Sequence, residues 1–427
     1  MSTLKCGLYE VDITPALGME MPGHFKLRHA DGILEKLYAY AAWFADGDGN
    51  QVLLCTMDTI TVVDEFGDDV RRRVADRLGI DVSHVLVCAT HTHYGGPVET
   101  WGEFVHMNPV YMEFLASRIV DAAFLARENA RPVKIGYGAG EEHTVAHYRD
   151  FIWEDSTFHT TSHVEGQKPF GPIDPQVGVL RIDNADGTPY GLISNYACHC
   201  DSVGGNGFTK YSSDYPGSLR ETLRKTYGQA FMPLFINGFC GDINHVDFEH
   251  GTSNEPMYYR KMGRILAAVV SETYEKIRPA EDATVSAAAT RMVFDSRMPT
   301  QEELAWADAH LDAKSVEDRF YASEARRMNA EGVQKLPAVV QAIRLGNLIL
   351  YGMPGEIYVE FALMLKEGTK GHPVMTANLA NGCLGYVPIR ELFQPGIYES
   401  RICSSAQVTP DTGYRMAEEL LKLAQTL

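Results

Sequence analysis

No stretch of the 427 residues reaches the roughly 18 consecutive apolar residues that a membrane-spanning helix needs. The sequence therefore offers no candidate membrane span. Positive charge is also scarce. Lys and Arg number 38 against 56 Asp and Glu, a balance of −18. Phosphate backbones and anionic lipid repel so acidic a chain unless a local basic patch is hidden in it, so nucleic acid is not expected as a partner. The longest basic run is Arg71-Arg72-Arg73, inside a helix-like segment, and it reads as a solvated face. Cysteine pairing signals are missing too. The eight cysteines, at 6, 55, 88, 198, 200, 240, 383 and 403, form no CxxC pair and no framework spacing. A disulfide scaffold is excluded, and most of them read as small buried residues. Residues 1–10 hold Lys5 but no apolar segment and no small-residue cleavage site, so the expected location is cytoplasmic.

What remains is ordinary globular composition, 45% hydrophobic and 22% charged. No repeat or linker divides the chain, and the expectation is one domain over 1–427. Residues 52–63 form an apolar, β-branched run and read as a strand. Residues 67–78 carry acids early, arginines late and Gly79 just past the end, which suits a helix dipole and its cap. With the short apolar run at 84–89, this makes a βαβ unit with parallel strands. Helices are expected at 109–129, 213–227, 257–277 and 409–427. Strands are expected at 176–182 and 190–197 around the turn Asn184-Ala185-Asp186-Gly187, and at 231–236, 284–294, 339–345, 347–351 and 373–379. Residues 299–332 are charged and alanine-rich with little apolar stripe. They read as a solvated helical insertion, with a lid or a homo-oligomer contact as the other reading. Strands and helices alternate without strict regularity. The fold class is therefore α/β (α+β), layered mixed sheets flanked by helices, rather than a closed barrel.

The strongest local signal is ATHTHYGGP at 89–97. Histidines at i and i+2 of a strand end face one side, and the glycines behind them permit close approach. Imidazole is the commonest ligand of zinc-type ions. NYACHC at 195–200 ends another apolar strand with His199, and GMPGE at 352–356 places Glu356 just after a third. NGCLGY at 381–386 follows a fourth. Ligand sites in α/β folds gather at the carboxyl ends of strands. Two histidines, a glutamate and one more oxygen donor make a zinc shell. Cys198 and Cys200 flank His199 and point away from its face. Asp58, interrupting an apolar run, reads as a hydrogen-bonded core acid, with orientation of a zinc histidine as the other reading. Asp214 reads as a helix N-cap.

The ordered set VDITP, ATHTHYGGP, NYACHC with SSDYPG, NGFCGDIN, PGE and GYVPIRE with a later YE resembles the neutral ceramidase family, in its catalytic domain only. The resemblance implies a zinc-dependent amidohydrolase with one Zn²⁺ per chain. It places His91, His199, Glu356 and Tyr386 as metal ligands, and His93 as a catalytic group off the metal. Arg149, in HYRD at 147–150, and Tyr398 fall on catalytic positions as donors to the developing oxyanion. For Arg149 a structural ion pair is an equal reading. The expected partners are a small N-acyl, ester or lactone substrate, cleaved by metal-activated water. A metal-dependent phosphoesterase, another amidohydrolase and a non-catalytic binding protein are the alternatives. Two departures stand out. Asn244 occupies the family's serine position, and Cys200-Asp201-Ser202 replaces its Gly-Thr-Ser.

Overall fold

The computed structural model describes residues 4–251, 255–281 and 283–427. Eight strands form the large sheet: Lys5–Asp12 (β1), Tyr38–Ala45 (β2), Gln51–Met57 (β3), Val85–Ala89 (β4), Arg131–Glu141 (β5), Gln176–Asn184 (β6), Pro189–Tyr196 (β7) and Met232–Asn237 (β8). Their order is β8-β7-β6-β5-β1-β2-β3-β4. Only the two outer pairs, β3 with β4 and β7 with β8, are parallel. Helices Asp64–Leu78 (α1) and Asp214–Tyr227 (α3) lie in those two connections, as parallel crossovers require. Two further helices, Pro109–Glu128 (α2) and Tyr258–Lys276 (α4), share their face of the sheet.

A second sheet holds Val285–Asp295 (β9), Lys335–Leu345 (β10), Leu348–Gly352 (β11) and Val374–Ala377 (β12), in that order. It packs on the other face of the large sheet. Strand β2 shows how. Its side chains alternate between faces, Ala39, Ala41 and Trp43 toward the helices and Tyr40, Ala42 and Phe44 toward the second sheet. Both faces are buried, so the sequence there is apolar throughout. The far face of the second sheet is covered by Val359–Gly368 (α7) and Thr412–Ala424 (α8), through Phe361, Leu365, Met416 and Leu420. The result is four layers, helices, sheet, sheet, helices, the layered α+β arrangement expected. Among the described residues no helix is long and apolar enough to cross a membrane.

Three expectations need correction. The strand expected over 52–63 stops at Met57. Asp58 ends it, accepting the Tyr38 amide and pairing with Arg220 at 2.7 Å, which also makes it the core acid rather than a partner of a site histidine. The insertion is two helices, Gln301–His310 (α5) and Val316–Glu331 (α6), and it is not merely solvated. Phe320 and Tyr321 of α6 are buried against Phe25, Trp101 and Phe104. Asp214 is not the N-cap of α3. Ser213 holds that position, and Asp214, at φ +55°, turns its carboxylate to the amide and hydroxyl of Ser202.

Asp214 has a measurable consequence. Burial pushes its carboxyl from the ordinary 3.8 up to about 7, despite the hydrogen bonds from Ser202 and Tyr215. An acid whose pKa is raised on folding binds its proton more tightly in the native state. Its contribution to stability is present below about pH 4 and is lost as pH rises through about 7. Thermal unfolding of Asp214→Asn should lack that part of the wild-type decline between pH 4 and pH 7. An unchanged slope in the variant would refute this assignment.

Candidate active site

The carboxyl ends of both sheets meet at one place. β4 leads to His91 and His93, and β7 leads to His199. β11 leads to Glu356, and β12 to the turn before Tyr386. Glu356–Ile357 and Tyr386–Val387 form a short parallel pair with Glu356 opposite Tyr386. Four distant segments thus deliver the four expected ligands to one spot, where topology places ligand sites in α/β folds.

The local geometry of the HxH motif differs from a strand end. β4 stops at Ala89, and His91 has φ +69°, a left-handed conformation that a non-glycine residue adopts only when its surroundings enforce it. Its amide donates to Thr59 at 3.0 Å, and its ring Nδ1 meets the Ile60 carbonyl at 2.7 Å. The segment that leaves the ladder after Met57 is therefore what aims this ring. His93 is placed by the Gly23 carbonyl, 2.9 Å from its Nδ1. His199 is placed by the Cys240 and Ile243 carbonyls, at 2.8 and 3.1 Å from Nδ1.

With each Nδ1–H given to a carbonyl, the three Nε2 lone pairs remain, and they converge. His91 Nε2 lies 3.4 Å from His93 Nε2. Glu356 Oε2 lies 3.2 Å from His91 Nε2 and 3.3 Å from His199 Nε2, yet it accepts no well-formed hydrogen bond. Burial alone would raise the Glu356 carboxyl. The charge of a protonated His91, whose own pKa Glu356 raises, outweighs it and, with His199, holds the group well below the usual carboxylate range. Burial and the Arg149 guanidinium bring His199 down to about 4. A buried carboxylate among imidazole lone pairs demands a positive charge there, a proton or a metal ion. The donor set of nitrogen and oxygen fits a zinc-type ion. Cys198 and Cys200 are buried and their thiols face the Val145 and Thr90 carbonyls instead.

Arg149 stands beside the cluster. Its Nη1 is 3.3 Å from His199 Nε2, its Nη2 donates to the Gly241 carbonyl at 2.7 Å, and its Nε is paired with Glu399 at 2.6 Å. The ion-pair reading of Arg149 is met by Glu399, and that pair leaves Nη1 facing His199. Its guanidinium lies 5.5 and 5.9 Å from the rings of Tyr386 and Tyr398. Tyr398 meets Tyr386 edge-on at 5.6 Å. All seven expected site residues are thus brought together. Asn244, at the family's serine position, has its Oδ1 engaged locally, accepting the Val246 amide at 3.0 Å.

Several residues of the site escape sequence reading. Glu399 is fully buried and holds Arg149, and its only signal is its place after Tyr398. Asp201 accepts the Tyr94 hydroxyl at 3.0 Å and lies 3.3 Å from His24 and 4.0 Å from His93. It is the acid of the tail that departs from the family pattern. Glu99 is a partly buried carboxyl that burial, and then the charge of Glu356, pushes up to about 7.

No protein-family model matches the chain. Two curated proteins of Dictyostelium discoideum are similar. Neutral ceramidase B is 25% identical over 216 residues, 47% of this chain, and neutral ceramidase A is 24% identical over 270 residues, 58% of this chain. The matches take in 28% and 35% of those proteins, so the chain spans well under half of their length. The neutral ceramidase structure from Pseudomonas aeruginosa superposes with a TM-score of 0.75 at 18% identity, over 99% of this chain and 74% of that one. A ceramidase complexed with C2 superposes with a TM-score of 0.77 at 17% identity, over 99% and 75%. The chain has the fold of the neutral ceramidase structures. In this neutral ceramidase-like fold, the expected ligands occupy the meeting point of the two sheets rather than separate surfaces.

Proposed function

We propose that the chain is a metal-dependent hydrolase that cleaves an N-acyl amide bond, with ester and lactone cleavage open to the same chemistry. The observation that carries this reading is the bare Glu356 Oε2 facing the Nε2 atoms of His91 and His199 on a ceramidase-like fold. His91, His199, Glu356 and Tyr386 would hold Zn²⁺. The ion would supply Lewis-acid polarisation of the carbonyl and activation of a water. His93 is the general base. Burial keeps its imidazole neutral, ready to accept the water proton and return it to the leaving nitrogen. Arg149, held by Glu399, and Tyr398 donate to the oxyanion as the carbonyl carbon becomes tetrahedral.

A second reading has one specific observation behind it. His24, His93 and Asp201 form a ligand-type cluster that shares His93 with the first. A two-metal hydrolase would use both clusters, and two ions per chain would favour it over the mononuclear enzyme.

The test is a substrate screen with metal control. Short soluble N-acyl amides, their ester and lactone counterparts, and micellar ceramide are offered to the purified protein. Hydrolysis of an N-acyl compound is expected, abolished by a chelator and restored by Zn²⁺. Faster cleavage of micellar ceramide would make a lipid amide the substrate. Chelator-resistant hydrolysis, or none with any substrate on metal-loaded protein, would overturn the proposal.

A further inference from the structure

A cavity of about 710 Å³ lies between α3, the start of α4 and the segment before β2, and no residue of the metal-type cluster lines it. Its walls carry Lys36, Arg220, Arg224, Lys225, Arg260 and Arg264, against two acids, Glu35 and Glu221. In a chain of net charge −18 such a concentration of cations is unusual.

Most of that charge is committed. Arg220 pairs with Asp58, Arg224 with Glu10, Lys36 with Asp12 and Lys225 with Glu221. Glu35 is engaged three ways, by the Ser212 and Tyr259 hydroxyls at 2.6 and 2.5 Å and by Arg260 at 3.5 Å. Two donor groups are left over. Arg264 is exposed and has no ion pair or hydrogen bond among the described residues. Arg220 is 2% exposed, and while its Nη2 serves Asp58, its Nη1 has no hydrogen-bond partner. A buried N–H without an acceptor is destabilising, so an oxygen ligand that reached it would be favoured. A guanidinium presents its remaining donors in a planar fork suited to the oxygens of phosphate.

We infer that this cleft is a binding site for a small, soluble anion of the phosphate class, separate from the catalytic cluster. Arg220 supplies the buried donor and Arg264 the free charge at the mouth. The paired Arg224 and Arg260 supply a field that favours a dianion over a monocarboxylate. Carboxylates that could compete are already satisfied by their own donors, so an incoming anion meets donors rather than bare acids.

Calorimetric titration of the metal-loaded protein with inorganic pyrophosphate tests the site. One saturable site per chain is expected. Arg264→Glu should weaken it at least about tenfold. Arg220→Lys, which keeps a cation against Asp58 but loses the fork, should weaken it similarly. If Arg220→Lys fails to fold, Arg264→Glu alone decides. Because pyrophosphate also binds metal ions, His199→Ala must retain the binding, and loss there would place the anion on the catalytic cluster and overturn the inference. Absence of saturable binding in wild type, or equal binding in Arg264→Glu, would overturn it as well. Vesicles of phosphatidylcholine with and without phosphatidic acid form the last arm. Retention on the acidic vesicles alone, lost in Arg264→Glu without any pyrophosphate binding, would assign the cleft to lipid headgroups instead.

Discussion

Replacing His199 with alanine is expected to remove metal and activity together, while replacing His93 with glutamine removes activity and leaves the metal. His199 is nearly inaccessible, and its Nε2 is one of the two nitrogens that face Glu356 Oε2. Without it, a four-ligand site drops to three, and Glu356 loses one of the two groups that hold it ionised. Elemental analysis should read about one zinc per chain in wild type and almost none in His199→Ala. Hydrolysis should fall by about a thousandfold or more, because the Lewis-acid contribution of several kcal/mol is lost. His93→Gln keeps all four expected protein ligands and leaves the Gly23 carbonyl within reach of an amide. It loses the base, which is worth about a hundredfold to ten-thousandfold in kcat. Loss of zinc in both variants would move His93 into the ligand set. Two zinc ions in wild type, one of them lost in His93→Gln, would bring the His24–His93–Asp201 cluster into use.

The second large effect concerns Glu399. Its carboxylate is wholly buried, meets Arg149 at 2.6 Å and accepts the Thr160 hydroxyl at 3.2 Å. Burial alone would lower the Arg149 pKa, and Glu399 is the main reason it stays above its ordinary value. Glu399→Ala leaves a buried guanidinium without its paired carboxylate, with the Gly241 carbonyl and His199 Nε2 among its remaining polar neighbours. Breaking a buried ion pair from one side costs roughly 3–5 kcal/mol, and the melting temperature should fall by several degrees. Glu399 touches no substrate in the proposed reaction, so it is a positioning residue. Its signature is a fall in kcat with zinc content and KM largely kept, partly rescued in Glu399→Gln, which retains the Thr160 contact. A variant with normal kcat would show that Arg149 needs no such anchor.

How much of this could be read in advance depends on the range of the interactions. The crossover helix α1 was legible because its acid-first, base-last polarity and its glycine C-cap are local. The expected ligands His91, His199 and Glu356 were legible because each follows an apolar strand in sequence, whereas Tyr386 was legible only through the family resemblance. The backbone of His91 was not. Its left-handed turn is imposed by Thr59 and Ile60, a segment that continues the apolar run and so reads as more strand. The anchoring of Arg149 was not legible either, since Glu399 stands 250 residues away and the YE motif that contains it says nothing of its partner. α6 was misjudged for a similar reason. Its apolar residues are few, and their partners Phe25, Trp101 and Phe104 come from loops that no periodicity marks.

The two sheets divide the ligands between them. His91 and His199 hang from the large sheet, Glu356 and Tyr386 from the small one, and the apolar layer between the sheets, with hydrogen bonds such as Asn195 to Thr376 and Asn378 to Asn237, brings the halves into range. An ion held by both pairs would act as a clasp across that seam. Anything that binds only the docked arrangement stabilises it by mass action. Loading with metal would then report that the two sheets have found each other, and the catalytic centre would serve as the last checkpoint of folding.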